Sequence, residues 1–317
     1  MSNTLSMSYR AAAGLICLVL LFPSFLKGEE RFQIELYGGF SFINPKDFNL
    51  LSQAEEQYND IYFIQHLRYY EGYFVNEFPE VKMALPAGLR LKYLVSETLA
   101  FSLGVEGFIQ HKEKTIEGTF SYSPSWSESH TKKYDPFRLE LSGYAVMGGI
   151  HYRRPVGEHT DLEIGAAAGW AFAHFDSSST WSYTIDYYYD ETWNLHVVDD
   201  GTLEGSGSGN GFAAQGMMRL NRMLGRRFGF FVETVYTFCR ITSIEGTGRE
   251  VRRGIPGEKT WEGPWGIKKE EISMLWGSAT VFVPANYWEG WIAAQRERDF
   301  ILNLSGLRLS IGIYLKL

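Results

Sequence analysis

The stretch "LSGLRLSIGIYLKL" (304–317) decides the fold. From Leu307 onward the odd positions are all aliphatic: Leu307, Leu309, Ile311, Ile313, Leu315 and Leu317. The even positions hold Arg308, Ser310, Gly312, Tyr314 and Lys316. Successive side chains of a strand point to opposite faces, so this period of two gives a sheet one wholly aliphatic face and one that carries an Arg and a Lys.

Toward the N-terminus the same alternation recurs seven times. In "FQIELYGGFSFI" (32–43), Phe32, Ile34, Leu36, Phe40 and Phe42 oppose Gln33, Glu35, Tyr37, Gly39 and Ser41. In "LPAGLRLKYLV" (85–95), Leu89, Leu91, Tyr93 and Val95 oppose Arg90 and Lys92, and in "LAFSLGVEGFI" (99–109), Leu99, Phe101, Leu103 and Val105 oppose Ser102, Gly104 and Glu106. "FRLELSGYAVMGG" (137–149) sets Phe137, Leu139 and Leu141 against Arg138, Glu140 and Ser142. "DLEIGAAAGWAFAHF" (161–175) sets Leu162, Ile164, Trp170 and Phe172 against Glu163, Gly165 and Gly169. "GFAAQGMMRLN" (211–221) opposes Phe212, Ala214, Met218 and Leu220 to Gln215, Arg219 and Asn221, and "RFGFFVETVYTF" (227–238) opposes Phe228, Phe230, Val232, Tyr236 and Phe238 to Gly229, Glu233 and Thr237. Each segment is close to the ~10 residues a tilted membrane-crossing strand needs.

The connections add a second signal. Short joints (96–98, "RRPVGEHT" and "LGR" around Gly225) alternate with long ones (44–84, 110–136, 176–210 and 239–303), so all short turns fall at one end of the strands and all long loops at the other. Aromatics bracket the apolar rows, as at the two interfaces of a bilayer. The expected fold is all-β: a single antiparallel up-and-down transmembrane β-barrel of about eight strands with long outer loops. A soluble barrel or sandwich also alternates, with its apolar face inside. On the membrane reading the interior charges are Glu35, Arg90, Lys92, Glu106, Arg138, Glu140, Glu163, Arg219, Glu233, Arg308 and Lys316. Eight strands leave room for little more than side chains, so these charges are expected to pair and plug the lumen.

The N-terminus supports export. Arg10 precedes the apolar run Ala11–Leu21, and polarity returns at Lys27, the order of a secretory signal over 1–28 that leaves 29–317 as the barrel. Without that segment Cys239 is the single cysteine, so no intrachain disulfide is expected. A net charge of -7 and the lack of a basic run speak against nucleic acid.

The closing "SIGIYLKL" resembles the assembly signal of bacterial outer-membrane barrels at Ser310, Gly312, Leu315 and Leu317; Leu317 departs from the aromatic residue that usually ends it. In strand number and loop order the chain resembles the small eight-stranded outer-membrane class typified by the OmpA membrane domain, OmpX and OmpW. That resemblance implies residence in the bacterial outer membrane, with outer-membrane lipid, lipopolysaccharide and the barrel-assembly machinery as partners.

Within the long joints, "NPKDFNLLSQAEEQY" after Ile43 predicts an amphipathic helix over 45–58, with Pro45 in its first turn and Phe48, Leu51, Ala54 and Tyr58 on one face. Joint 176–210 carries Asp176, Asp186, Asp190, Glu191, Asp199, Asp200 and Glu204 without Lys or Arg, and reads as a solvated acidic loop, a divalent-cation site being the alternative. Its "GSGSGNG" (205–211) reads as a flexible connection. The last joint holds Trp261, Trp265, Trp276, Tyr287, Trp288 and Trp291, and "ISMLWGSATVFV" reads as a strand or hairpin there. An extracellular ligand is therefore expected at 176–210 and 239–303. His174, Asp176 and Ser177 lie together in sequence, but no nucleophile motif or metal spacing surrounds them, so no catalytic residue, cofactor or metal ligand is assigned. The expected function is a non-enzymatic envelope or surface-binding barrel. A narrow channel for small or apolar molecules and a barrel enzyme acting on lipid or peptide are the alternatives.

Overall fold

The computed structural model describes residues 31–45, 49, 71–75, 80–122, 128–190, 193–242, 244–254, 257–264, 267–274, 277–281, 296–298 and 301–317. Eight strands close a ring: β1 (Phe32–Ile43), β4 (Ala87–Leu94), β5 (Leu99–Tyr122), β6 (Glu128–Gly157), β7 (Thr160–Asp190), β8 (Trp193–Met223), β9 (Phe228–Ile241) and β16 (Gly306–Lys316). Neighbours in that order pair antiparallel, and the ring shuts where β1 meets β16, from Gln33↔Lys316 to Ile43↔Gly306. Both termini of the ring lie at the short-turn end.

The remaining strands stand at the other end. β2 (Glu71–Val75) pairs with the far part of β5, and β3 (Met83–Ala84) with β1. β10 (Ile244–Gly254) pairs with β8, β11 (Gly257–Pro264) with β10, and β15 (Leu302–Asn303) with β9. A hairpin of β12 (Ile267–Met274) and β13 (Gly277–Val281), with β14 (Arg296–Arg298), forms a separate sheet; it contains the strand pattern expected in "ISMLWGSATVFV". The expected signal 1–28 lies outside the described residues, as does most of the expected helix 45–58. There, Asn49 N–H donates to the Pro45 carbonyl at 2.9 Å.

Outside, the wall has a sharp upper limit. The outer row of β7 runs Leu162, Ile164, Ala166, Ala168, Trp170, Phe172 and then turns to His174 and Asp176. The change from apolar to polar comes after Ile109 on β5, Tyr144 on β6, Phe212 on β8 and Phe238 on β9. From Leu162 to Phe172 is roughly 33 Å of strand, which at a tilt of about 40° gives close to the ~25 Å apolar band of a membrane barrel. Aromatics mark both edges. Phe32 and Tyr93 meet at the short-turn edge with ring centroids 5.1 Å apart, and Tyr144 stacks on Phe172 at 4.8 Å at the other.

Four strands continue far past that limit. β5 to β8 are 24, 30, 31 and 31 residues long, and joints 110–136 and 176–210 are mostly paired strand rather than loop. "GSGSGNG" is likewise strand rather than a connection. It lies within β8, between β7 and β10, and Gly207 is the floor on which the Phe175 ring rests. Composition alone reads as a linker because glycine has no side chain of its own to show the packing above it.

Beyond the limit the two faces exchange character. Phe137, Leu139, Leu141, Phe175 and Ile241 point inward and are buried with Ala145, Met147, Cys239 and Leu302 in one apolar core. Arg138 and Glu140 therefore face outward, with side chains 58% and 46% exposed. This corrects their expected place in the lumen. On β6 the lipid-facing row is Tyr152, Ile150, Val146 and Tyr144, which is the even parity; the apolar odd row from Phe137 to Leu141 stays inside where the outer face meets water.

Candidate functional site in the barrel lumen

In the membrane-level section the inward positions of all eight strands converge on four carboxylates. Glu35 accepts from Arg90 Nη1 at 3.0 Å, Arg219 Nη1 at 2.7 Å and Gln33 Nε2 at 2.7 Å, and lies 2.9 Å from Lys92 Nζ. Glu233 accepts from Arg219 Nη2 at 2.5 Å, Arg90 Nη1 at 3.3 Å and Arg308 Nη2 at 3.3 Å. Glu163, nearer the short turns, pairs with Lys92, with His151 Nδ1 at 2.9 Å and with Asn221 Nδ2 at 3.1 Å. Glu106, nearer the long-loop end, pairs with Arg308 and accepts from Gln215 Nε2 at 2.6 Å and Tyr37 Oη at 3.1 Å.

Rings fill what the charges leave. The Arg219 guanidinium lies 3.8 Å from the centroid of the Phe231 ring, and Arg90 lies 4.8 Å from that of Tyr37. Tyr37, Phe231 and Tyr314 are themselves buried. In so narrow a lumen a ring has space only by lying flat on the neighbouring strand, and glycine provides it. Tyr37 covers Gly88, Phe231 covers Gly312 and Tyr314 covers Gly229, each pair in direct register.

Arg90, Lys92, Arg219 and Arg308 thus balance Glu35, Glu106, Glu163 and Glu233, all but Glu106 being buried. Water is displaced and each charge meets an opposite one, the condition under which ionised groups persist inside a protein. Above Glu106 and Arg308 lies a cavity of about 60 Å³, polar at that floor and lined higher up by Ile43, Ala145, Met147 and Leu304. The apolar core described above caps it. Two different materials therefore close the lumen in series.

Among the residues expected in the lumen, Glu35, Arg90, Lys92, Glu106, Glu163, Arg219, Glu233 and Arg308 form this network. Lys316 sits at the short-turn mouth with its Nζ 3.5 Å from Met223 Sδ. Sequence reasoning passes over His151 and Arg153, whose Nη2 donates to Gln33 Oε1 at 3.3 Å and lies 3.6 Å from Glu163, because it ends the β6 segment at Gly149 and gives Arg153 to a turn. Following the Tyr144, Val146, Ile150 parity two residues further finds His151 inside. His174 Nε2 lies 3.0 Å from Asp176 Oδ2 on the outer face, whereas Ser177 faces the other way and donates to the Gly205 carbonyl at 3.4 Å, so the three make no joint site. Of the expected terminal signal, Ser310 and Gly312 face the lumen, Leu315 faces outward, and Leu317 N–H donates to the Phe32 carbonyl at 2.8 Å. Among the described residues no three His, Cys, Asp or Glu side chains converge as metal ligands.

Solved structures similar to the chain are small outer-membrane barrels. Neisserial surface protein A aligns over 91% of this chain and 98% of its own at 8% identity and a TM-score of 0.32. The attachment invasion locus protein Ail of Yersinia pestis aligns over 90% and 99% at 8% identity and 0.31, and a major outer membrane protein of Thermus thermophilus over 90% and 98% at 11% identity and 0.32. No family model and no curated protein matches the sequence.

Proposed function

We propose that the protein is a non-enzymatic barrel of the bacterial outer membrane that conducts nothing and acts through the surface it raises above the bilayer. The observation that carries this reading is the doubly closed lumen, a balanced ion network followed by an apolar core, inside a wall with a lipid-height apolar belt. A general pore needs a water-filled path, and both fillings oppose one. The long β5–β8 strands and β10–β11 add a β-structured surface at the end opposite the short turns. In this reading 1–28 is the export signal, and Ser310, Gly312, Leu315 and Leu317 serve recognition by the assembly machinery. Lipopolysaccharide surrounds the upper girdle, and the raised strands within 176–210 and 239–303 meet the extracellular ligand.

Planar-bilayer recording of the purified protein tests it. The expected trace is flat apart from leak. Steady, concentration-proportional ion current would overturn the closed-lumen reading and put a narrow channel in its place.

A further inference from the structure

At the short-turn end the outer rows of three adjacent strands break the apolar belt in one place. On β6 the row runs Ile150, Tyr152, Arg154, Val156; on β8 it runs Met218, Leu220, Arg222 and continues to Leu224 in the turn that follows. On both strands an exposed Arg sits between exposed apolar residues, with Val156 and Leu224 56% and 62% exposed below it. Between them β7 presents Leu162 and Thr160. Arg154 faces Leu162, and Thr160 faces Arg222, so the two guanidinium groups flank one hydroxyl-bearing strand. Two strand spacings and a two-residue offset along the strands separate their Cα atoms, roughly 12 Å, so both side chains can lean onto one group over Thr160. Among the described residues the side chain of neither Arg154 nor Arg222 has an ion-pair or hydrogen-bond partner.

The wall above this pair is shaped as well as charged. At mid-belt the outer residues of the same three strands are small: Gly148, Ala166, Ala168, Ala214 and Gly216 lie side by side in the register. A side chain added at Gly216 would meet nothing within 4 Å, so no packing within the wall requires glycine there. Ile150, Ile164, Trp170, Phe212 and Met218 frame the shallow trough that results.

We propose that this face of β6–β8 seats one anionic phospholipid of the leaflet at the short-turn end, its phosphate held by Arg154 and Arg222 over Thr160 and an acyl chain lying in the trough. The inference rests on the membrane reading above. Charge selects the occupant. Two exposed guanidinium groups, each suited to bidentate contact with phosphate oxygens, favour a headgroup with net negative charge over a zwitterionic one. Continuity of the pair with a lipid-facing belt favours a lipid over a free anion, since the apolar trough adds nothing to binding a small ion.

Native mass spectrometry of the full-length protein in detergent, supplied with phosphatidylglycerol or phosphatidylcholine at equal concentration, reads this directly. The wild type should retain one phosphatidylglycerol after detergent is stripped and at least tenfold less phosphatidylcholine. R154Q/R222Q should lose that preference, R154K/R222K should keep part of it, and Gly216→Leu, which fills the trough without touching charge, should weaken retention severalfold. Inorganic phosphate in millimolar excess should not displace the lipid. Equal retention of the two lipids by wild type, unchanged retention in R154Q/R222Q, or full displacement by phosphate would each overturn the proposal. If R154Q/R222Q does not fold, as judged by heat-modifiable gel migration, Gly216→Leu and the phosphate competition decide it. Insertion of wild type into vesicles is scored separately, so a protein that inserts yet shows no lipid preference defeats the seat and leaves the membrane reading standing.

Discussion

Two lengths of the same wall obey opposite rules. Below the upper girdle, Leu162, Ile164 and Trp170 face out while Glu163 faces in; above it, Arg138 and Glu140 face out while Leu139 and Leu141 face in. The backbone does not change between them, and β6 and β7 stay paired without a break in register from Gly143↔Ala173 to Phe137↔Ser179. What changes is the solvent on the outside. Alternation identifies a strand, but only the medium against each face decides which parity is buried.

Substitutions on either side of the girdle sharpen the contrast. The largest effect is expected for Glu233→Ala, which strips a carboxylate from Arg219, Arg90 and Arg308 together. Removing one partner of a buried pair costs about 3–5 kcal/mol, and urea unfolding in lipid vesicles followed by tryptophan fluorescence measures it. A cost below ~1 kcal/mol would mean the lumen is hydrated. Above the girdle, Leu141→Ala empties a fully buried position of the apolar core. Its expected cost is about 2–4 kcal/mol, read in the same way, and no change would mean that this part of β6 is a loop in water.

Gly207→Leu drives a side chain against the Phe175 ring and Ile244. Overpacking of this kind costs about 1–3 kcal/mol, and protease sensitivity of the raised section should increase with it. A truly flexible "GSGSGNG" would accept the leucine unchanged. The smallest effect belongs to Arg138→Ala and Glu140→Ala, both on the wet outer face, at less than ~1 kcal/mol each. A loss near that of Glu233→Ala for either one would return it to the lumen and erase the distinction between the two sections.

The same distinction explains what is legible in the sequence. The membrane-level section can be read because lipid outside and charge inside make each face chemically pure, as in Leu307 to Leu317 or Leu89 to Val95. The charged residues of the network follow from parity there. The raised section reads as loops for a physical reason. In "QHKEKTIEGTFSY" (110–122) the outer face is wet and the pairing partner lies in β6, so no apolar row announces a strand even though the backbone is fully paired from Gln110↔Leu141 to Tyr122↔Ser129. For β6 the apolar trio Phe137, Leu139 and Leu141 is visible, but the sign of its face is not, because the sequence does not say where the bilayer stops.

The rings that lie on glycines also fix the register of individual seams between strands. Tyr37 on Gly88 fixes β1 against β4, Phe108 on Gly143 fixes β5 against β6, and His151 on Gly165 fixes β6 against β7. Phe175 on Gly207 does so for β7 and β8, and both Phe231 on Gly312 and Tyr314 on Gly229 do so for β9 and β16. A slip of two residues would set the ring against a side chain instead of an open backbone at each of these seams except β7–β8, where Gly205 and Gly209 flank Gly207 and the long pairing with β7 holds the register. The β4–β5 and β8–β9 seams take their alignment from the tight turns that join them, where Val95 N–H donates to the Leu99 carbonyl and Leu224 N–H to the Phe228 carbonyl. Where the first strand meets the last, the described residues offer neither device. At β1–β16 the glycines Gly39 and Gly306 instead let bare backbone approach bare backbone. The closing seam therefore inherits its alignment: with β1 set against β4 on one side and β16 against β9 on the other, where the ring must shut is already determined.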